Sequence, residues 1–279
     1  MRKEAFDQIA SSWQPAPWAQ TRGVLCLSYN ASVIEVDGLT KLFGDVKAVD
    51  NLTFRVEPGE VVGLIGPNGA GKTTTLRCLV GIQAPTSGVV RIAGHDIVRD
   101  PLEAKRRLAF MADEPQLFEY LTVAEHLQLV ARLYGIDDAQ ARAPTLLDEL
   151  ELRGRENALP TELSRGMRQK VAIACGLLRD PATLLFDEPL TGLDPLGIRR
   201  MKETIMSRAR HGASVIVSSH LLHLVEEICT RIIIIDRGKK IADATFDELA
   251  RRPDLVSANS NLEQIFLRVT GQNLSGPTP

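Results

Sequence analysis

Val61-Val62-Gly63-Leu64-Ile65-Gly66-Pro67-Asn68-Gly69-Ala70-Gly71-Lys72-Thr73 is the stretch on which the fold turns. Five apolar residues predict a buried strand, and the rest fits GxxxxGK[ST], a phosphate-binding turn that opens a helix. The glycines let consecutive backbone N–H groups curl around an anion. The helix start adds unpaired donors and a partial positive charge. Lys72 is placed to reach β- and γ-phosphates, and the Thr73 hydroxyl to ligate Mg2+. The four fixed positions recur by luck in roughly one chain in a hundred of this length. A strand before them and a helix over 73–80 after them argue against luck.

Outward from this turn, short β-branched runs alternate with helical patterns, predicting an α/β fold with a largely parallel sheet. The expected strands are 33–36, 52–56, 61–65, 89–92, 108–111, 183–186, 214–218 and 232–235, with a turn at Pro58-Gly59. Strands stop between about Asp113 and Leu163. Helical periodicity over 121–134 and 144–152 there predicts a helical insertion. A short amphipathic helix is expected at 262–270, before a Gly/Asn/Ser/Pro tail.

The bulk composition bounds the function classes. The chain has 279 residues, 44% hydrophobic and 24% charged, with a net charge of −2. That charge gives no global field for nucleic acid, so no nucleic-acid partner is expected. Cys26, Cys78, Cys175 and Cys229 are far apart and form no CxxC pair, which predicts free thiols in a reducing compartment. No apolar run approaches the ~18–20 residues needed to span a bilayer. The N-terminus has no apolar core of a secretory signal. Any membrane role must therefore be borrowed from another chain.

A second cluster of chemistry ends the apolar run Ala182-Thr183-Leu184-Leu185-Phe186, at Asp187-Glu188. Ligands sit at the C-terminal ends of strands in open α/β sheets. Asp187 is expected to hold Mg2+ through its water shell, and Glu188 to accept a proton from an attacking water. A third strand end carries Ser218-Ser219-His220. Taken alone, it reads better as a cap, by Ser219, on a helix at 221–228 than as a phosphate contact.

Five motifs now stand in one order. Leu163-Ser164-Arg165-Gly166-Met167 resembles the LSGGQ signature of ABC ATPases, and Thr191-Gly192-Leu193-Asp194 resembles their D-loop. The resemblance covers about 33–249. It implies that His220 is the switch histidine, so the capping interpretation is reversed, and that Phe43 stacks on adenine. It also implies an α/β P-loop NTPase (RecA-like) core, with an antiparallel β subdomain and an inserted α-helical subdomain at about 113–179. ATP and Mg2+ are the implied cofactors. The implied catalytic residues are Glu188, His220 and Lys72. Nucleotide contacts fall to Phe43, Gly66, Pro67, Asn68, Gly69, Ala70, Gly71, Lys72, Thr73, Thr74, Asp113, Ser164, Gly166 and Asp194. Metal contacts fall to Thr73, Asp187 and Asp113. In the family the Ser164 end of one subunit covers the ATP held by Lys72 of another, so a second copy of the chain is an implied partner.

The chain departs from the family pattern at several positions. Arg165 replaces the first glycine of the signature pair, either adding charge near the γ-phosphate or facing solvent. Met167 replaces the glutamine, which puts a ribose contact there in doubt. The strand entering the helical part is followed by Asp113, where relatives usually carry glutamine. Asp113 is expected to fill that slot, with Gln116 as the second choice. Lys72, Asp187, Glu188 and His220 are all present, which argues for an active ATPase.

The ending Asn261-Leu262-Glu263-Gln264-Ile265-Phe266-Leu267-Arg268 resembles that of ATPases of ABC-2-type exporters, as does Glu114-Pro115 followed by Leu121-Thr122-Val123-Ala124-Glu125. This implies separate transmembrane permease subunits whose coupling helices dock beside 113–121. It implies a cytoplasmic location, peripheral on the inner face of the cell membrane. The alternative is a soluble ABC ATPase with a regulatory role. Residues 1–32, with Trp13 and Trp18, are expected to be a flexible extension or an over-called start, and 250–279 a C-terminal helix and tail.

Overall fold

In the computed structural model, residues 33–251 and 262–270 are described. The N-terminal extension with Trp13 and Trp18, Cys26, and the tail after Thr270 lie outside the described residues.

Two sheets organise the chain. One is antiparallel and contains β1 (Ile34–Phe43), β2 (Val46–Val56), β4 (Ser87–Ile92) and β5 (His95–Asp96), in the order β2-β1-β4-β5. The other contains β3 (Val61–Ile65), β6 (Leu108–Met111), β7 (Thr183–Asp187), β8 (Ser214–Ser218), β9 (Arg231–Asp236) and β10 (Lys239–Ala244). Its order is β10-β9-β3-β8-β7-β6, parallel except for the antiparallel edge strand β10.

Every residue of β3, β7 and β8 is buried. These strands read as unbroken apolar runs because both faces are covered. Leu184, Phe186, Val215 and Val217 face a cluster shared with the helical layer. Leu185 and Ile216 face the cluster under the antiparallel sheet. Each such side chain contributes about 1.5–3 kcal/mol relative to exposure.

The helices are α1 (Lys72–Leu79), α2 (Pro101–Arg107), α3 (Val123–Tyr134), α4 (Ala139–Glu149), α5 (Arg165–Leu177), α6 (Pro195–Arg210), α7 (Leu222–Ile228), α8 (Phe246–Ala250) and α9 (Leu262–Thr270). The expected helix over 121–134 begins at Val123, because Thr122 and Glu125 close a capping box around its first turn. The one expected at 144–152 is displaced to Ala139–Glu149, with Pro144 inside it. Its first turn forms ahead of the proline, where the Ala141 and Arg142 N–H groups donate to the Asp138 carbonyl (3.0 and 3.1 Å). Val123, Leu127, Leu146, Leu147, Val171 and Ile173 join this helical part to the parallel sheet in one apolar cluster. The terminal helix α9 lies where expected and buries Leu262, Ile265 and Phe266 against Val225, Ile232, Ile234 and Leu249.

Strands β3, β8 and β7 are neighbours in that order. The loops leaving them carry the phosphate turn, His220 and the Asp187-Glu188 pair, so the topology alone brings three distant stretches together.

Candidate functional site

The turn between β3 and α1 is shaped by close backbone approaches. Gly71 sits at φ 105°, in the left-handed region, and a Cβ there would collide with the Ala48 carbonyl of β2. A Cβ at Gly66 would collide with the Ile235 carbonyl of β9. The Gly238 N–H donates to the Ala70 carbonyl (2.9 Å). The turn is thus clamped between the antiparallel sheet and the β9–β10 hairpin. Asn68 and Gly69 stay exposed at its tip, and Ala70, Thr73 and Thr74 line its path into α1.

Lys72 is only 8% exposed. Its Nζ donates to the carbonyls of Gly66 (2.7 Å) and Pro67 (3.2 Å). Burial holds this lysine below its ordinary range, and the charges of Glu188 and Asp187 oppose that shift. A partly desolvated ammonium at a helix N-terminus gains from any anion brought beside it.

The carboxylates lie next to the turn. Asp187, 4% exposed, accepts from the Ser218 hydroxyl (2.6 Å) and lies 3.4 Å from the Thr73 hydroxyl. Glu188 adopts φ 51°, an uncommon backbone state for a residue with a side chain. That state is pinned from several sides. The Glu188 N–H donates to the Ser218 carbonyl (3.1 Å). Its Oε2 meets His220 Nδ1 at 2.8 Å and accepts from the His220 N–H at 3.3 Å. Glu188 is mostly enclosed, whereas His220 is half exposed. Ser219 does not cap the helix expected at 221–228: that helix begins at Leu222, with Leu221 at its N-cap and no side-chain cap bond, and the Ser219 hydroxyl accepts only from the Leu221 N–H in the preceding turn (3.1 Å).

The hard oxygen donors Thr73 and Asp187 suit Mg2+, which takes few protein ligands and keeps waters and phosphate oxygens. No group of three His, Cys, Asp or Glu able to hold a metal by itself exists among the described residues. The donor set fits an ion that completes its shell with water and nucleotide oxygens.

The signature stretch forms a separate end. Ser164 caps α5, accepting from the Met167 N–H (3.2 Å), and is exposed with Arg165 beside it. Gly166 packs on the D-loop, where a Cβ would come within 3.0 Å of the Gly192 carbonyl. Asp194 caps α6, accepting from the Gly197 N–H (2.9 Å). Phe43 lies at the end of β1, 46% exposed, with Lys41 Nζ 5.1 Å from its ring centroid. Asp113, two residues past the end of β6, pairs with Arg165 (3.1 Å), while Gln116 is exposed. Arg165 therefore takes a partner neither sequence reading foresaw.

Gln169 was not singled out by sequence. It is 3% exposed, inside α5, and its Nε2 donates to the Glu188 carbonyl (3.3 Å). A glutamine one turn into a helix carries no motif that announces this contact. Ser218, the hydroxyl on Asp187, was visible only as part of a strand end.

Comparison with known proteins supplies the kinship of the fold. The ABC transporter family matches residues 49–191. The ABC-type transporter ATP-binding protein EcsA of Bacillus subtilis (strain 168) is 36% identical over 244 residues, covering 87% of this chain and 98% of that protein. The Nod factor export ATP-binding protein I of Paraburkholderia xenovorans (strain LB400) is 40% identical over 214 residues, covering 76% and 70%. The bacitracin transport ATP-binding protein BcrA of Bacillus licheniformis is 36% identical over 223 residues, covering 80% and 72%. A solved structure of the ATP-binding subunit of an ABC transporter superposes with a TM-score of 0.81 at 34% identity, covering 85% of this chain and 99% of that one. On fold, site geometry and kinship together, the chain belongs to the ABC transporter family as one of its ATP-binding ATPase subunits.

Proposed function

We propose that this chain hydrolyses Mg2+-bound ATP to power an ABC-2-type exporter, working as one half of a head-to-tail pair of identical subunits. The observation that carries the reading is the meeting of Thr73, Asp187, Glu188 and His220 at three adjacent strand ends. In this reading Lys72 and the backbone N–H groups of 68–74 hold the phosphates, and Phe43 offers its exposed face to the adenine ring. Thr73 and Asp187 hold the ion, which would supply charge neutralisation at the β- and γ-phosphates. Glu188 takes the proton of the attacking water at Oε2, and His220, hydrogen-bonded to that oxygen, holds the carboxylate in place. Ser164, Gly166 and Asp194 act on the nucleotide of the opposing copy.

Relatives named for bacitracin transport and Nod factor export support the exporter assignment. No helix among the described residues is long and apolar enough to cross a membrane. Separate permease subunits would therefore place the chain on the inner membrane face, with their coupling helices beside 113–121. Domain limits of 33–249 for the ATPase and 113–179 for its helical part fit this division of labour.

The test is Glu188→Gln in the full chain. ATP binding should persist while turnover falls by ~10²–10⁴-fold, the usual worth of a general base, and the ATP-bound pair should accumulate on size exclusion. Turnover at the wild-type rate would remove Glu188 from the role. Co-purification of a polytopic membrane protein with the tagged chain is expected, and a purely soluble set of partners would point to a regulatory ATPase.

A further inference from the structure

Two positions that depart from the family pattern, an aspartate where glutamine is usual and an arginine where glycine is usual, lie 52 residues apart in sequence and contact each other. Arg165 Nη2 donates to Asp113 Oδ1 at 3.1 Å. The Arg165 side chain also runs across the D-loop, with Cδ 3.6 Å from the place a Cβ on Gly192 would occupy. A Cβ at 192 would rest on it in ordinary van der Waals contact, and Gly192 itself holds a left-handed φ of 77°. Three segments thus meet on one guanidinium: the loop leaving β6, the start of α5 and the D-loop.

The electrostatics explain why this arginine needs its partner. A cation in the first turn of a helix opposes the helix dipole. Arg165 occupies that turn, directly after the Ser164 cap. Drawing its charge onto Asp113 leaves the N–H groups at the α5 start free of a competing cation. Both side chains are about half exposed, at 50% and 41%. The contact is therefore modest and screened by salt. That strength suits a joint that rearranges between transport states.

We propose that Asp113 and Arg165 act as one positioning unit. Their ion pair ties the 113–121 loop to the signature turn and D-loop, and Asp113 serves that tie in place of ligating Mg2+. The proposal rests on the ATPase reading given above, and it concerns positioning, not chemistry: neither residue touches the reacting atoms.

A charge exchange tests it on the purified full-length chain. Asp113→Arg and Arg165→Asp should each lower ATP turnover about three- to tenfold, as expected for a lost pair replaced by like charges. The double exchange should return turnover to within about twofold of wild type, because the pair re-forms with reversed polarity. The Mg2+ concentration for half-maximal turnover should be the same in all four proteins. Raising the salt should shrink the single-variant losses. Unchanged melting temperatures show that the effect is not one of folding. The proposal is overturned if the double exchange is no better than the worse single, or if Asp113→Arg raises the Mg2+ requirement whatever stands at 165. Glu188→Gln, assayed alongside, separates the two levels. Wild-type turnover there would sink the ATPase site itself, whereas failed rescue with an inactive Glu188→Gln would sink only the pair.

Discussion

The phosphate-turn end and the signature end of this chain are built on opposite plans. At the first, Lys72 and Asp187 are buried and the polar groups satisfy one another through Thr73, Ser218 and His220. At the second, Ser164, Arg165 and Asp194 are exposed, and the helix starts they cap open onto solvent. The first end is organised in advance for charge. The second is a surface, with anion-binding capacity and no enclosing walls of its own. In the proposed head-to-tail pair, a second copy would bring its open end to the first copy's turn and close the site.

Three changes sharpen or break that contrast. The largest effect is the loss of turnover with retained binding in Glu188→Gln set out above, which disables the inner end while sparing the outer. Gln169→Leu comes next, since this residue joins the two ends within one subunit. It removes one donor to the Glu188 carbonyl, and also a buried Oε1 that has no partner. Turnover should fall about two- to tenfold, the kinetic worth of one hydrogen bond of ~0.5–1.5 kcal/mol, with little change in melting temperature. A drop of several degrees with unchanged turnover per folded molecule would make Gln169 merely structural.

The smallest effect lies in the helical part. His126 is 4% exposed, accepts from the Phe118 N–H through Nε2 (2.9 Å) and meets the Thr122 carbonyl through Nδ1 (2.8 Å). Burial lowers its pKa below the ordinary 6.5. Between the folded and unfolded values the unfolded chain binds the extra proton, so stability falls as the pH falls. The His126 contribution is therefore full above about pH 6.5 and lost as the pH drops through the folded value. His126→Gln should flatten that part of a stability–pH curve measured by denaturant unfolding, at a cost of about 1 kcal/mol at neutral pH. An unaltered slope would mean that other groups titrate there.

What was legible in the sequence follows the same division. Buried strands announce themselves: the run 61–65 is β3 to the residue, and 214–218 is β8. Exposed ones do not. The expected strand at 33–36 runs on to Phe43, and that at 52–56 begins at Val46, the two forming a hairpin around Gly44-Asp45. Exposed lysines and glycine across 41–47 blur any alternation there. Edge strand β10, with Lys239 and Lys240, gave no apolar signal, since charged residues are how sheet edges avoid mispairing. The motif residues were legible because phosphate chemistry restricts residue type at fixed spacing. Gln169 and the Asp113–Arg165 contact were not, because they depend on how α5 packs beside β7 and β6, which no local pattern encodes.

The central claim, that each nucleotide is shared between the Lys72 end of one copy and the Ser164 end of another, is tested most directly by mixing two inactive proteins. Lys72→Ala and Ser164→Arg each damage both sites of their own homodimers. In a mixed pair one site carries both lesions and the other carries none. Equal mixing, with free exchange, should restore turnover to roughly a quarter of wild type, half the pairs being mixed and each holding one intact site. No recovery, under conditions where exchange of labelled subunits is seen, would contradict the shared site and leave each chain hydrolysing within its own boundaries.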